Sequence, residues 1–215
     1  GIKSMKIQLS HKFEDIISIE NLLEAWQEFI KGKRNKKDVQ ELSLILMDNI
    51  FSLHGDLLNH TYKHGSYQAF KINDPKPRDI HKATVRDRLL HHAIYRILYP
   101  FFDKTFIADS YSCRNNKGTH KAINKFRDYF CKASQNNTQT CRVLKCDIRK
   151  FFANIDHKIL IGILKEYIPY KKIIKLLENV IGSFTSPYPL LIKERGITTS
   201  VGLPLGNLTS QLFVN

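Results

Sequence analysis

Lys145-Cys146-Asp147-Ile148-Arg149-Lys150-Phe151-Phe152 is the stretch on which the reading of this chain turns. The residues leading into it, Arg142-Val143-Leu144, are β-prone, and the pattern predicts a short strand over Arg142–Asp147. Asp147 would then project from the end of a sheet rather than sit in its middle. A carboxylate there can hold a divalent cation, and the aromatic pair behind it can lie against a ligand ring. A lone aspartate would be an ordinary turn residue; what argues against that is the longer string Asp-Ile-x-x-Phe-Phe-x-x-Ile-Asp-His, from Asp147 to His157. Within it, Asp156 is placed to cap a helix bearing Ile159, Leu160, Ile163 and Leu164. His157 reads as structural rather than as a general base. Further on, Gly202-Leu203-Pro204-Leu205-Gly206-Asn207-Leu208-Thr209-Ser210-Gln211 crowds two glycines and a proline ahead of a short helix. Such a loop lets backbone approach a ligand closely, although alone it is a common turn.

With 215 residues, 42% of them hydrophobic, the chain can bury a real core and build one or two domains. Its formal net charge is +14, with 34 Lys and Arg against 20 Asp and Glu, which favours a polyanionic partner. The charge is clustered: Lys31–Lys37 and Arg114–Arg127 each hold five Lys or Arg and no acid. Neither cluster carries the apolar face of a membrane-surface helix. Four cysteines, Cys113, Cys131, Cys141 and Cys146, show no Cys-x-x-Cys spacing. They read as reduced, partly buried thiols rather than a zinc site or a disulfide framework. No apolar run approaches the roughly 18 residues of a membrane span, so a cytoplasmic protein with no membrane partner is expected. Residues 1–4, ahead of Met5, read as an appended leader.

Ile19, Leu22, Leu23, Trp26, Phe29 and Ile30 recur at helical spacing between Ser18, a good N-cap, and Gly32. Asp38 is placed to cap a second helix through Val39, Leu42, Ile45 or Leu46, Ile50, Leu53 and Leu57. Ser66–Ile72 and Arg78–Lys82 read as two strands around the turn Asn73–Pro77, forming a basic hairpin. Thr84 and Asp87 resemble a capping box for a helix that Pro100 stops. Gly118-Thr119 opens another helix with Ala122, Ile123, Phe126 and Phe130, and Gln135–Thr140 is a polar loop. This order of helices and strands indicates an α+β architecture.

The aspartate string and the glycine loop together resemble two core motifs of reverse transcriptases, over roughly Tyr62–Asn215. The resemblance implies a right-hand polymerase: an N-terminal helical extension over 5–61, fingers over 62–140 and a partial palm over 141–215. It implies an RNA-directed DNA polymerase that joins a dNTP to a primer 3′-hydroxyl on an RNA template, using Mg²⁺. Asp147 would be the catalytic first metal ligand and Ile148 would offer its carbonyl. Lys71, Arg78, Arg114, Phe151, Phe152, Leu205 and Gly206 would meet the nucleotide, with Phe152 as the gate against a ribose 2′-hydroxyl. Arg86, Arg88, Lys117, Asn207, Ser210 and Gln211 would meet the template and its DNA or RNA primer. For Lys71 and Arg78 a solvated basic turn is the plainer reading, and Arg86 and Arg88 could equally be solvated helix residues. A Tyr-x-Asp-Asp hairpin with further metal-binding carboxylates is expected to follow the glycine loop and is absent from these residues, so this stretch alone is expected to be inactive. Leu205 and Gln211, in place of the Gln and Pro of retroviral and group II intron enzymes, resemble the error-prone enzymes of bacterial and phage diversity-generating retroelements. That class implies a basic accessory protein as partner. Group II intron maturases, retrons and antiphage reverse transcriptases are the rivals within enzymes, and a non-catalytic RNA-binding module is the rival outside them.

Overall fold

The computed structural model describes residues 7–73, 77–185 and 200–214. Helix α1 (Phe13–Ile17) runs into α2 (Ile19–Phe29), and α3 (Lys37–Leu44) into α4 (Leu46–Leu58). A hairpin of β1 (Gln68–Asn73) and β2 (Pro77–Lys82) comes next, then the long α5 (Val85–Phe102) and α6 (Thr119–Ala133). A 3₁₀ turn (Phe151–Asn154) leads to α7 (His157–Tyr167), α8 (Lys171–Gly182) and α9 (Leu208–Phe213). The expected turn residues 74–76 and the leader 1–4 lie outside the described residues.

The core forms where α2 lies along α5. Leu22, Ala25, Trp26 and Phe29 from one helix and Leu89, Leu90, Ala93, Ile94 and Leu98 from the other are all buried, as the helical spacing in both segments requires. One polar clamp crosses this apolar seam. The buried Asn21 side chain donates to the carbonyls of Ile16 (2.8 Å) and Ala93 (3.1 Å) and accepts from Arg96 Nε (3.2 Å). Arg96 in turn pairs with Glu24 and Glu28, so the extension is joined to α5 by charge as well as by packing. The core continues into α8 through Ile173, Ile174, Leu177 and Val180, and α9 packs on α5.

Several elements differ from their sequence reading. The expected second helix is two: the chain breaks at Ile45 (φ −126°, ψ 48°), where Asn49 Nδ2 donates to the carbonyls of Leu42 and Ile45. The break lets Val39 and the Ile50–Leu53–Leu57 stripe both reach the core. Asp38 caps nothing. It is already inside α3, and its carboxylate holds Lys82 of β2 (2.6 Å) and Arg88 of α5 (2.7 Å). Pro100 does not stop α5, which continues to Phe102; the rings of Phe101 and Phe102 pack edge-on against Tyr167, which holds the last turn despite the missing amide. Arg142–Asp147 is not a strand, because no partner strand lies beside it among the described residues. Val143 and Leu144 are exposed instead. Cys113 and Cys146 are exposed as well, not partly buried. No helix among the described residues is long and apolar enough to cross a membrane.

Truncating Asn21 to Ala removes the side-chain donor to the Ile16 carbonyl and the second donor to the Ala93 carbonyl, which keeps its helical partner within α5. We expect Asn21→Ala to lower unfolding stability by about 1–3 kcal/mol, measured as a shifted urea midpoint at unchanged slope.

Candidate active site

Asp147 sits in the exposed segment that enters the 3₁₀ turn, and it makes no hydrogen bond or ion pair among the described residues. Ile148 beside it is 69% exposed. Lys150 then takes a left-handed φ of 51° and turns the chain into Phe151–Asn154. Phe151 is 39% exposed, whereas Phe152 packs against the core, the two rings meeting edge to face at 6.0 Å. Asp156 caps α7 as its position foretold, accepting from the amides of Lys158 and Ile159.

The glycine-rich loop runs antiparallel to this segment. His157 N donates to Ser200 O (3.2 Å), Gly202 N to Ile155 O (2.9 Å) and Leu203 N to Phe152 O (2.7 Å). The loop's other side meets the hairpin, where His81 N donates to Leu205 O (3.3 Å). A methyl group at Gly206 (φ 97°) would stand 3.1 Å from Ile80 Cγ2, so both conformation and space call for glycine. The chain thus brings Phe152 and Ile155–His157 against residues 200–203, some 50 residues on in sequence, and Leu205 and Gly206 against the hairpin. No hydrogen bond joins Asp147, Ile148 or Phe151 to the loop among the described residues.

Lys71 and Arg78 are exposed on the hairpin and have no partner among the described residues. The register pairs Lys71 with Asp79 and Ile72 with Arg78, so the two cations leave opposite faces of the ribbon. Arg78 shares its face with Phe70, Ile80 and Lys82, which border a cleft of about 370 Å³. Arg88, His91, Gly206, Asn207 and Gln211 line the same cleft, together with Phe29 and Lys33 from the end of α2 and the loop after it.

The other expected arginines are engaged. Arg86 binds Asp56 (2.6 Å) and lies over Tyr62, and Arg88 binds Asp38 and lies over Phe29. Arg114 is drawn into its own loop: its guanidinium donates to Asp103 Oδ1 and to the carbonyls of Asp103, Ile107 and Ser110. Beside that guanidinium, the Asp103 carboxyl is held below its usual range. Lys117 donates to Ala108 O (2.7 Å) across the Tyr111 ring. Ser210 is buried in α9.

His91 is a cleft-lining residue that sequence reasoning missed. His64 Nδ1 faces the Gly65 carbonyl (2.7 Å), which only accepts, so Nδ1 carries the proton and Nε2 accepts. His91 Nε2 then donates to His64 Nε2 (3.2 Å), leaving His91 Nδ1 a bare acceptor, buried and without a partner among the described residues. Asn207 Nδ2, a donor in the same cleft, is also buried and unpartnered. The His91-His92 pair on an otherwise amphipathic helix was the available signal, but two adjacent histidines do not reveal which faces a cavity.

Comparison with known proteins gives the family. Residues 63–215 match the model of reverse transcriptase (RNA-dependent DNA polymerase). The chain belongs to the reverse transcriptase family. It is 28% identical over 150 residues to the COX1/OXI3 intron 1 protein of Saccharomyces cerevisiae, a match covering 67% of this chain and 16% of that protein. Among solved structures, a partial Cas6-RT-Cas1–Cas2 complex aligns at a TM-score of 0.58 and 22% identity, over 95% of this chain and 33% of that one. A second Cas6-RT-Cas1–Cas2 complex aligns equally well over 21% of its chain. These likenesses bear on the fold, an α+β fingers-and-palm arrangement preceded by helices. The chain spans well under half the length of each of these proteins.

Asp147 and the neighbouring Ile148 carbonyl are oxygen donors of the kind Mg²⁺ takes, and no cluster of three or more His, Cys, Asp or Glu forms among the described residues.

Burial pushes the His91 imidazole down to about 3, aided by His64, and burial with the nearby Lys33 and Arg88 charges pushes His92 down to about 4, from 6.5. Between those values and 6.5 the unfolded chain binds more protons than the folded one, so stability rises with pH across this window. We expect the urea midpoint to fall between about pH 7 and about pH 5, while lowered carboxylates such as Asp38 stay ionised, and His91→Gln to flatten that slope.

Proposed function

We propose that this chain is the fingers and part of the palm of an RNA-directed DNA polymerase, joining a dNTP to a primer 3′-hydroxyl on an RNA template. The observation that carries the reading is the antiparallel stitching of residues 200–203 to residues 152–157, which puts the Gly202–Gly206 loop beside Phe152, five residues from an unpaired, exposed Asp147. Asp147 and the Ile148 carbonyl would hold Mg²⁺, with its remaining ligands coming from outside this chain. Bound there, the ion would lower the charge cost of phosphoryl transfer. Phe152, packed on the core and with its carbonyl bound by the Leu203 amide, would exclude a 2′-hydroxyl. Leu205 and Gly206 would floor the nucleotide pocket. Arg78 would reach triphosphate oxygens with a bidentate fork, and Lys71 would serve from the ribbon's other face. Arg114 orders the loop behind them.

The cleft between hairpin, α5 and α9 suits one nucleotide of the template. Lys33, Lys82 and Arg88 supply cations for a phosphate, while Phe70 and Ile80 supply an apolar wall. His91 Nδ1 and Asn207 Nδ2 leave an acceptor and a donor unspent, the pair of functions that a ribose 2′-hydroxyl complements. Gln211, which lines the cleft, would support the template-primer there. Ser210 is buried and would act only by holding α9 in place, and Arg86 and Lys117 are engaged by Asp56 and the Ala108 carbonyl away from the cleft. Binding would weaken steeply with salt, because its main contacts are to phosphates. Within the family, Leu205 and Gln211 favour the error-prone retroelement type, with a basic accessory protein as partner in a bacterial cytoplasm. The similarity to an intron-encoded protein favours an intron maturase as the second reading.

In the full-length protein, Asp147→Ala should lower primer extension at least about 10³-fold while template-primer affinity changes little. Extension that survives the change removes Asp147 from the chemistry, and a wild type that binds but never extends makes this a non-catalytic RNA-binding module. Phe152→Ala should raise ribonucleotide incorporation by roughly 10-fold or more, read from single-nucleotide extension with dNTP against rNTP.

A further inference from the structure

We infer that His157 is a positioning residue that sets the glycine-rich loop against Phe152, and thereby the shape of the nucleotide pocket; the second half of this rests on the polymerase reading above. His157 opens α7 and is buried. Both of its ring nitrogens are turned to the loop: Nε2 lies 2.6 Å from Gly202 O, and Nδ1 lies 2.9 Å from Ser200 Oγ. The Gly202 carbonyl can only accept, so Nε2 carries a proton. In the neutral ring Nδ1 is then an acceptor, Ser200 donates to it, and Thr185 Oγ1, 3.3 Å from Ser200 Oγ, donates to Ser200. The ring therefore ties α7, the end of α8 and the glycine loop into one chain of hydrogen bonds. With both nitrogens spent on the protein, His157 has no free lone pair for a substrate proton, which separates it from a general base.

What it holds is a lever. Gly202 takes a φ of 103°, a conformation that turns its buried carbonyl away from the neighbouring strand partner and toward the ring. Its own amide faces Ile155 O, and the next amide, from Leu203, faces Phe152 O. Three residues further, Leu205 O takes the His81 amide of the hairpin, and Gly206 abuts Ile80. A shift at Gly202 is thus passed to Phe152 on one side and to the hairpin on the other. Phenylalanine would fill the ring's volume but leave the Gly202 carbonyl without a donor. Glutamine keeps an amide N–H that can reach it.

The test compares His157→Phe, His157→Gln and wild type in the full-length protein by two readouts. Backbone hydrogen exchange should rise in residues 200–206 of His157→Phe, with α5 unchanged, and should return toward wild type in His157→Gln. In primer extension, KM for dNTP should rise roughly 10-fold in His157→Phe with kcat changed less than about 3-fold, and His157→Gln should recover most of the loss. Unchanged exchange in the loop overturns the positioning role, and so does raised exchange with unaltered KM in an active enzyme. A wild type that does not extend primers defeats the polymerase reading instead, and hydrogen exchange still decides whether His157 holds the loop.

Discussion

A buried carboxylate organises the root of the hairpin, and much of the site is placed by it. Asp87 is almost fully enclosed, and an enclosed charge persists only when donors surround it. Tyr62 Oη (2.6 Å), Thr84 Oγ1 (2.5 Å) and the Gly65 amide (3.1 Å) supply them. These come from the segment after α4, the cap of α5 and the approach to β1. A side chain at residue 65 would stand 2.8 Å from Thr84 and 2.9 Å from Asp87, so the glycine lets backbone close on the carboxylate. Tyr67 extends the network by bonding Ser183 at the end of α8 (2.8 Å). The tyrosine hydroxyl of Tyr62 is correspondingly harder to ionise, because burial and the adjacent Asp87 charge both oppose it. The hairpin therefore leaves the core at one angle, and the face that carries Phe70, Arg78, Ile80 and Lys82 is the face toward the cleft.

The second constraint lies in the main chain. The loop at 200–206 is held to residues 152–157 through backbone groups, which any sequence possesses, and through a histidine ring, which only this one places there. Asp38 adds a third tie: by gripping Lys82 and Arg88 it joins α3 to the hairpin and α5. Two cations of the cleft thus share one acid. The extension is a wall of the cleft as well as a buttress behind it.

Much of this could be read from the residues in order. Ser18 and Asp156 cap the helices they were expected to cap, the hairpin strands fall within two residues of expectation, and α6 starts where Gly118 allows. These are local properties, set by a hydroxyl or carboxylate near an amide and by the period of apolar side chains. The failures are equally physical. Periodicity joins α3 to α4 because it does not register a single residue leaving helical space; α1 and α8 are further helices, α8 with an apolar period at Ile173, Leu177 and Val180. Arg142–Asp147 has strand composition, but a strand is a pairing, and composition does not supply the partner.

By itself the sequence determined the family, through an aspartate, an aromatic pair and a glycine loop whose order suffices for recognition, and it determined the basic character that suits nucleic acid. Only the tertiary structure decided which cations remain available and which are consumed: Arg114 and Arg78 are the same residue type in adjacent motifs, yet one is locked by Asp103 and three carbonyls while the other has no partner among the described residues. It also decided that His91 and Asn207 share a cleft and that His157 grips Gly202. The reason is that hydrogen-bond partners far apart in the chain are chosen by packing, and no spacing rule along one dimension records which side chains a fold brings within 3 Å of one another.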